Sequence, residues 1–320
     1  MSDKLISRRG VIGAGLGALA ATRLRPAGAQ AFPSTWTFGE VTISKVLDMT
    51  GPFSAARAFP GADLSEMDKY ADMLVPWHYE PATKNVLFDY QAFVVRTPRY
   101  VIVVDGGQGN DKPRGSSEAN MRKGPFLENL KAAGVVPEQV NFVMNTHFHS
   151  DHVGWNTSTK DGKFVPTFPN ARYIFNQAEV DGSRANLAAA GIGVSFADSI
   201  QPVLDANIVD FIKGDREIDN GVRIVFSPGH TPGHQALSIN SKGKRAILCG
   251  DLIHNPIEVV HPEWEVLFDA DKEAGKVQRH KFVDGHTDVD VTIFAAHFRG
   301  PTAGKIVSER GGKRLFKMLA

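Results

Sequence analysis

The stretch Thr146-His147-Phe148-His149-Ser150-Asp151-His152 predicts both the fold and the chemistry of this chain. It places four potential metal ligands within six residues, and imidazole and carboxylate groups are ligands that zinc, iron and manganese accept. The apolar residues 139–145 precede it, so we expect a strand end that turns toward a helix. Residues two apart in an extended segment share a side, so His147 and His149 can bind one ion together. Asp151 and His152 lie past the turn and can bind a second ion.

A histidine-rich surface loop is the alternative interpretation of this stretch. Three histidines and one aspartate at this spacing seldom occur together by chance, so we favour a metal site. The pattern His-x-His-x-Asp-His after a strand resembles the metallo-β-lactamase superfold, and the resemblance extends over essentially the whole chain after residue 31. It implies an α/β protein built as a four-layer αβ/βα sandwich.

Three later segments, SPGHTPGH, LCGD and FAAH, match the remaining ligand segments of this family. By that match, His230 joins the first metal, Asp251 bridges both metals and His297 joins the second metal. Without the resemblance each of these three would be a weak indication, because a histidine or aspartate at a strand end is often structural. The implied ligands are His147, His149, Asp151, His152, His230, Asp251 and His297.

Two further residues are expected to support these ligands without binding metal. Asp105 sits where the family places an acidic residue, and a ligating histidine nearly always donates its other ring N–H to such an acceptor. A simple turn-forming aspartate is the alternative for Asp105. His234 competes with His230 for the first metal, and we assign His234 to a supporting or packing role.

The resemblance implies two divalent metal ions as cofactors, with zinc expected first and iron or manganese left open. Two metals ~3.5–4 Å apart can share one hydroxide, because metal binding lowers the pKa of water from about 15.7 to about 7. The implied activity is hydrolysis of an ester, a lactone or a phosphotriester, with Asp151 among the catalytic residues.

Several branches of the family fit this chain poorly. Asp251 stands where the commonest β-lactamases use a thiolate, and few residues follow His297, whereas glyoxalase II-like thioesterases carry a helical extension there. RNA-processing relatives need a basic surface, and flavodiiron enzymes need a flavodoxin domain for which the chain has no room. Acyl-homoserine lactonases and methyl parathion hydrolase-like enzymes remain.

His254 is the residue that best separates these two remaining groups. Quorum lactonases often place a tyrosine three residues after the bridging aspartate, whereas this chain has His254 there, as the second group does. We therefore predict His254 as a catalytic residue, with a packed histidine as the alternative. A mono-iron persulfide dioxygenase and a non-catalytic binding module are the other classes of function considered.

Residues 1–31 are predicted to be an export signal. Ser7-Arg8-Arg9 precedes an uncharged run of small and apolar residues, 11–22, which is too short to span a bilayer as a helix. Residues 27–31, AGAQA, then offer small-residue cleavage sites. The arrangement resembles a bacterial twin-arginine leader, and a buried apolar helix is the alternative. We expect residues 32–320 to form the mature catalytic domain, in the periplasm or secreted.

The composition argues against several kinds of partner. The chain has 36 basic and 35 acidic residues, and removal of residues 1–31 leaves it slightly acidic, so nothing indicates nucleic-acid binding. We expect a small-molecule substrate and no membrane span in the mature chain, and the sequence leaves a homodimer open. The single cysteine, Cys249, excludes an intrachain disulfide and is expected to be a small core residue.

Hydrophobic patterns after residue 31 predict a mixed series of strands and helices. Strands are predicted at residues 36–49, 85–96, 100–105, 139–145, 171–175, 208–212, 222–226, 245–249 and 291–295. Helices are predicted at residues 124–134, 177–190, 196–206 and 271–282.

Residues 50–85 are predicted to be an irregular loop rich in aromatic residues and proline. Such a long loop inside a compact domain often serves as a lid or a binding loop. We therefore predict that Phe53, Phe59 and Trp77 line a substrate pocket, with a plain surface excursion as the alternative.

Overall fold

The computed structural model describes residues 34–188, 192–309 and 311–319. The predicted export signal lies outside these described residues and stays a prediction. Within the described part of the chain, no helix is long and apolar enough to cross a bilayer.

The described residues fold into many strands and mostly short helices. The strands, in chain order, are β1 Thr35–Phe38, β2 Val41–Ser54, β3 Tyr79–Glu80, β4 Asn85–Arg96, β5 Val101–Val104, β6 Phe142–Met144, β7 Thr157–Lys160, β8 Lys163–Pro166, β9 Arg172–Asn176, β10 Val209–Ile212, β11 Arg216–Asp219, β12 Val222–Phe226, β13 Gln235–Ser241, β14 Lys244–Gly250, β15 Thr292–Ala295, β16 Ala303–Ser308 and β17 Arg314–Met318. The α-helices are α1 Ala55–Ala58, α2 Ser65–Lys69, α3 Ala71–Leu74, α4 Phe126–Ala132, α5 Ser150–Val153, α6 Gln177–Ala185, α7 Ile192–Ser195, α8 Gln201–Asp205, α9 Ile257–Val260 and α10 Lys272–His286.

Two large sheets carry the fold. The first has the order β1-β2-β4-β5-β6-β9-β10, with β3 paired to β4, and the second runs β11 to β17 in sequence. Strands β5, β6, β9 and β10 are parallel to one another, and so are β14 and β15. The parallel strands therefore end at a common edge of their sheet, where the chain can gather polar side chains.

Three hydrophobic clusters show how the layers stack. One cluster lies between the sheets and joins residues such as Ile43, Val104 and Met144 of the first sheet to Ile224 and Leu248 of the second. A second cluster covers the other face of the first sheet with α4, α6 and α8. A third covers the other face of the second sheet with α9 and α10, and Cys249 is buried in it. The order helix, sheet, sheet, helix confirms the predicted four-layer sandwich.

Two sequence predictions for residues 36–85 are wrong. The predicted strand 36–49 is two strands, because Gly39 adopts a positive φ of 58° and turns the chain between β1 and β2. Residues 50–85 are not an irregular loop, since they contain the end of β2, the helices α1 to α3 and β3. These helices have four or five residues each, which is too short for a helical hydrophobic period to be visible in the sequence.

The predicted helices 177–190 and 196–206 are also corrected. The first ends as α6 at Ala185, well before residue 190. The second is a π-helical turn, Phe196–Ile200, followed by α8. Such π-helical turns are rare and often lie near functional sites.

Candidate metal centre

The histidine-rich stretch leaves the carboxyl end of β6, which pairs in parallel with both β5 and β9. His149 is extended, and α5 begins at the next residue. Asn145 fixes this turn, because its side-chain amide donates to the carbonyl of His152 at 2.8 Å and its own carbonyl accepts from Gln235 at 2.9 Å. The predicted transition from strand to helix is present.

Three imidazoles converge at the first group of potential ligands. The Nε2 atom of His230 lies 3.2 Å from Nε2 of His147 and 3.1 Å from Nδ1 of His149. The Oδ2 atom of Asp251 lies 3.6 Å from the same His230 atom. Ligand atoms of these four residues all lie within 4.8 Å of one another.

A second group shares the same carboxylate. The Oδ2 atom of Asp251 lies 3.2 Å from Nε2 of His152 and 3.2 Å from Nε2 of His297. Asp151 completes the group, with its Oδ2 atom 3.6 Å from His152 and 3.5 Å from His297. One oxygen of Asp251 therefore lies between the two groups.

The three imidazoles of the first group suit a cation better than protons, whereas at His152 burial is outweighed by Asp251, Asp151 and Asp105, which raise its pKa. Burial, with the neighbouring imidazoles, lowers the pKa of His147 and of His230 well below the ordinary value. Burial also lowers the pKa of His149 to about 4. Neutral imidazoles offer lone pairs, and a buried set of lone pairs without donors is unfavourable. Asp251 Oδ1 and His152 Nε2 are buried with no hydrogen-bond partner, so the donor set fits divalent metal ions.

Asp105, at the end of β5, supports the second group. Its Oδ2 atom lies 3.0 Å from Nδ1 of His152, and its Oδ1 atom accepts from the backbone N–H of Thr146 at 2.7 Å. The carboxylate therefore orients the imidazole of His152 so that Nε2 faces Asp251. This is the acceptor geometry that ligating histidines generally have.

His234 supports Asp251 from the backbone side. The N–H of Asp251 donates to Nε2 of His234 at 3.2 Å, so the other ring nitrogen, Nδ1, carries the proton and donates to Ser227 Oγ at 2.9 Å. Burial lowers the pKa of His234 to about 3. Gly250 makes this approach possible, because its φ is 55° and a Cβ there would lie 2.7 Å from Nε2 of His234.

Three supporting groups escaped the sequence analysis. Asp269 Oδ1 lies 2.9 Å from Nδ1 of His230, and the carbonyl of Asp89 lies 3.0 Å from Nδ1 of His297. Glu179, on α6, accepts from the N–H of Phe148 at 2.8 Å and from the N–H of Gly233 at 2.9 Å, so it joins two of the ligand segments. Burial raises the pKa of Glu179. None of these three groups carries a signal in the sequence.

His254 lies at the floor of the site beside Asp251. Its Nε2 atom is 3.3 Å from Oδ2 of Asp251, and its Nδ1 atom is 3.3 Å from Oε1 of Glu258. Its ring is parallel to that of His297 at a centroid distance of 5.8 Å. Burial opposes a charge on His254, but Asp251 and Glu258 outweigh burial and raise its pKa to about 10.

A cavity of about 300 Å³ opens over these residues. Its floor includes His149, Asp151, Asp251, His254 and His297, and its walls are Phe53, Phe88, Tyr90, Gln108, Ser150, Ile192, Ser195 and Phe268. The side chains that form the walls are mostly apolar and uncharged, which is the usual design for binding a small molecule.

Only one of the three aromatic residues predicted for the pocket lies in it. Phe53 lines the cavity, because β2 extends further than expected. Phe59 is instead buried in the hydrophobic cluster against which Phe53 packs, where its ring lies 5.4 Å from that of Trp264. Trp77 packs against the backbone of Gly300 and does not line the cavity. Of the three residues, Phe59 and Trp77 therefore do not line this cavity.

Gln108 lies on a loop that a buried lysine anchors to the opposite wall. Lys112 is fully buried, donates to the hydroxyl of Ser199 at 3.0 Å and lies 3.5 Å from Oδ1 of Asp198. Burial lowers the pKa of Lys112 to about 8, although Asp198 acts in the opposite direction. Asp198 and Ser199 belong to the π-helical turn after α7, so Lys112 connects two walls of the cavity.

Comparison with known proteins gives a consistent result. Residues 87–314 match the family model described as the metallo-beta-lactamase superfamily. An N-acyl homoserine lactonase from Bacillus sp is 33% identical over 119 residues, which is 37% of this chain and 40% of the relative. An N-acyl homoserine lactonase AttM from Azorhizobium caulinodans is 29% identical over 163 residues, or 46% of this chain and 58% of the relative. The matched region thus spans about two fifths to three fifths of these relatives.

Solved structures match over a longer part of the chain. The hydrolase AbOPH, described as in the beta lactamase superfamily, aligns with a TM-score of 0.74 and 25% identity, covering 89% of this chain and 97% of that one. AidC, described as a dizinc quorum-quenching lactonase, aligns with a TM-score of 0.73 and 21% identity over the same shares. At these identities the likeness concerns the fold.

Proposed function

The chain belongs to the metallo-beta-lactamase superfamily, and from that premise we propose that it is a metal-dependent hydrolase of neutral esters, lactones or phosphotriesters. The observation that supports this most is the position of the two His/Asp groups at the floor of a cavity with mostly apolar walls. A site of this design binds an uncharged molecule and presents its reactive bond to the metal ligands.

The proposed cofactors are two divalent ions. Asp251 would be shared between them, with the first ion held by His147, His149 and His230 and the second by Asp151, His152 and His297. Zinc suits the imidazole and carboxylate donors, and iron or manganese would also be accepted. When bound, such ions polarise an ester or phosphoryl oxygen and lower the pKa of water to about 7.

The chain's own residues would orient the substrate and stabilise the developing charge. Phe53, Phe88 and Phe268 would hold the apolar part of the substrate and exclude bulk water. Burial, with Asp151 and Asp251, raises the pKa of Tyr90, so its phenol keeps its proton and can donate to a substrate oxygen. His254, which faces the cavity from the floor, would donate to the oxygen that gains charge, and removal of such a donor typically lowers kcat ~10²–10³-fold.

The lining of the cavity supports a neutral substrate. The described residues that line it include no lysine or arginine, so apart from the proposed metal ions and His254 no cation there would pair with a carboxylate or a phosphate monoester. The curated lactonases support a lactone as the substrate. Quorum lactonases often have a tyrosine three residues after the bridging aspartate, whereas this chain has His254 there. Phosphotriesters and aryl esters therefore stay in the proposal as substrates.

The experiment measures metal content and turnover together. The purified protein is assayed on homoserine lactones, δ-lactones, aryl esters and phosphotriesters, and its zinc, iron and manganese are quantified. We expect two ions per chain and hydrolysis of at least one substrate class. One iron per chain, with oxygen uptake on a sulfur substrate and no hydrolysis, would overturn the proposal.

Variants of His254 refine this test. We expect His254→Ala to lower kcat by roughly 10²-fold while both metals stay bound. His254→Tyr should favour lactones over phosphotriesters relative to the parent. His286→Ala, which removes a half-buried histidine at the end of α10, is the matched control and should leave turnover unchanged. A normal kcat for His254→Ala on every substrate would make His254 a packing residue.

Export by the twin-arginine route is part of this proposal, supported by Ser7-Arg8-Arg9 and the short apolar run after it. Replacement of Arg8 and Arg9 with lysine should keep the protein in the cytoplasm. Cell fractionation and N-terminal sequencing measure this, and a mature chain that begins near Gln30 or Phe32 is expected. Unchanged export of the double variant would exclude the route.

A further inference from the structure

Behind the cavity floor, one arginine lies between two buried carboxylates. Arg279, on α10, is 1% exposed and among the largest fully buried side chains of the described residues. Its Nη2 group donates to Oδ2 of Asp269 at 2.5 Å, and its Nε forms an ion pair with Oε1 of Glu258 at 3.2 Å that lacks hydrogen-bond geometry. Its Nη1 group donates to the carbonyls of Pro262 and Trp264 at 3.2 and 2.9 Å. The guanidinium therefore fixes both carboxylates and the loop that leads to α10.

Each of the two carboxylates has a histidine of the site as its other partner. Asp269 contacts Nδ1 of His230 at 2.9 Å with the oxygen that Arg279 leaves free. Glu258 contacts Nδ1 of His254 at 3.3 Å, and its second oxygen accepts from the N–H groups of His254 and Asn255 at 2.5 and 2.7 Å. Two chains of contacts thus run from one guanidinium to two imidazoles whose ring centroids lie 5.0 Å apart.

Helix α10 is shaped to hold Asp269 in this position. Gly275 lies one turn before Arg279, and a Cβ at Gly275 would lie 2.3 Å from Oδ2 of Asp269. The carboxylate of Asp269 therefore occupies a notch that only glycine leaves open. Because a buried guanidinium has a rigid planar fork, it can hold two carboxylates at fixed directions, which a lysine ammonium cannot.

We infer that Arg279 is a positioning residue that sets the imidazoles of His230 and His254 relative to each other, through Asp269 and Glu258. The inference rests on the proposed function because it treats His230 as a metal ligand and His254 as a group at the reacting atoms. Arg279 touches neither the cavity nor a ligand, so its effect passes through the two carboxylates.

The test uses metal binding and imidazole spectra, so that it stands even if no substrate is turned over. Zinc affinity is measured by competition with a chelator, and the imidazole ¹⁵N signals of the zinc-loaded protein are assigned by their loss in His254→Ala and His230→Ala. Asp269→Asn should weaken binding of one zinc ion ~10–100-fold and leave the His254 signal in place. Glu258→Gln should shift the His254 signal and change zinc affinity less than about twofold, because Glu258 contacts no proposed ligand of the first ion.

Arg279→Lys is the decisive variant, because it should produce both effects at once. Arg279→Met would leave two buried carboxylates without a counter-charge and can fail to fold, so Gly275→Ala provides the second test. Alanine favours a helix more than glycine does, so weaker zinc binding by Gly275→Ala would come from displacement of Asp269 and not from loss of α10.

The matched control is Arg172→Lys, which alters an arginine with similar contacts to a carboxylate, Asp210, and to two backbone carbonyls far from the site. It should leave zinc affinity and the His254 signal unchanged. A folded Arg279→Lys variant with parent-like zinc affinity and an unshifted His254 signal would overturn the inference. Failure of the proposed function alone would appear as normal zinc binding with no hydrolysis.

Discussion

Substitution of Asp105 by asparagine tests how the metal centre is held. Asp105 has a positive φ of 61°, and asparagine tolerates that conformation as aspartate does, so the backbone should persist. The carboxylate of Asp105 accepts from the N–H of Thr146 with Oδ1 and contacts Nδ1 of His152 with Oδ2, and the Thr146 hydroxyl lies 3.1 and 3.0 Å from these two oxygens. An amide has only one acceptor oxygen, so in either orientation its NH₂ group must face one of these donors.

The size of the effect follows from this count. One buried donor loses its acceptor, which should lower the free energy of unfolding by about 1–3 kcal/mol. If the amide oxygen stays with Thr146, the imidazole of His152 loses its orienting group. Loss of such a partner typically weakens metal affinity or activity ~10–100-fold.

The assay titrates the metal-free variant with zinc against a competing chelator and measures chemical unfolding in parallel. Asp111→Asn is the control, because Asp111 also has a positive φ, 55°, but its carboxylate lies at the surface 3.6 Å from Lys123. It should leave zinc affinity unchanged. Parent-like zinc affinity and kcat/KM in Asp105→Asn would refute the view that Asp105 orients His152.

Three further predictions concern the bridge, the wall and the buried lysine. Asp251→Asn keeps the shape but removes the shared charge, so metal analysis should find a fall toward one ion and most activity should be lost; two retained ions with full turnover would contradict the bridge. Phe53→Ala should raise KM for apolar substrates whereas Trp77→Ala should not, and equal kinetics of the two variants would contradict the assignment of the wall. Lys112 has a pKa of about 8 in the fold against 10.5 when free, so between these values the unfolded chain holds more protons and the unfolding free energy rises with pH, by up to about 3 kcal/mol. The variant Lys112→Met removes the charge that faces Asp198. Denaturation curves from about pH 7.5 to about pH 10.5 should then show a smaller rise of the unfolding free energy with pH, and an unchanged rise would show that Lys112 is not the cause.

The sequence predicted most strands of the first sheet but only β12, β14 and β15 of the second, and it missed β11, β13, β16 and β17. It also named the seven residues that the structure brings together in the two groups, because their segments leave local signals. Strands of the core are runs of apolar residues, and β12 begins and ends at the residues predicted. The histidine-rich stretch is local, and the other three segments stand directly after strands. Parallel pairing of β5, β6 and β9 then brings Asp105 to the same edge as His147.

The polar network behind the site could not be predicted, because its members are distant in the chain. Glu179, Glu258, Asp269 and Arg279 look like ordinary surface residues in the sequence, and their burial depends on the packing of α6, α9 and α10. Each becomes favourable only when its partner is present, since a buried charge needs a counter-charge or several hydrogen bonds. Such pairing over long separations leaves no periodic pattern.

The residues that form the walls of the cavity could not be predicted for a different reason. Phe53, Phe59 and Trp77 all lie in the same aromatic-rich segment, residues 50–85. A high density of aromatic residues does not show which side chains face a cavity and which pack against one another. Phe88 meets Phe53 because β2 pairs with β4, and Phe268, which is distant from both in the chain, packs against both rings.

The separation between floor and walls has a consequence for how such an enzyme can change over evolutionary time. The floor is fixed at strand ends by hydrogen bonds to Asp105, His234 and Asp269, whereas the walls come mainly from β2, β4, α7 and the segment before α10, with Gln108 and Ser150 beside them. A substitution at Phe53, or at Ile192 on α7, would alter which molecules fit without disturbing the groups that hold the floor. Lineages with this architecture can therefore acquire new substrate preferences through single wall mutations while keeping the same bond-breaking chemistry, and selection experiments should recover adaptive changes mainly in those four segments.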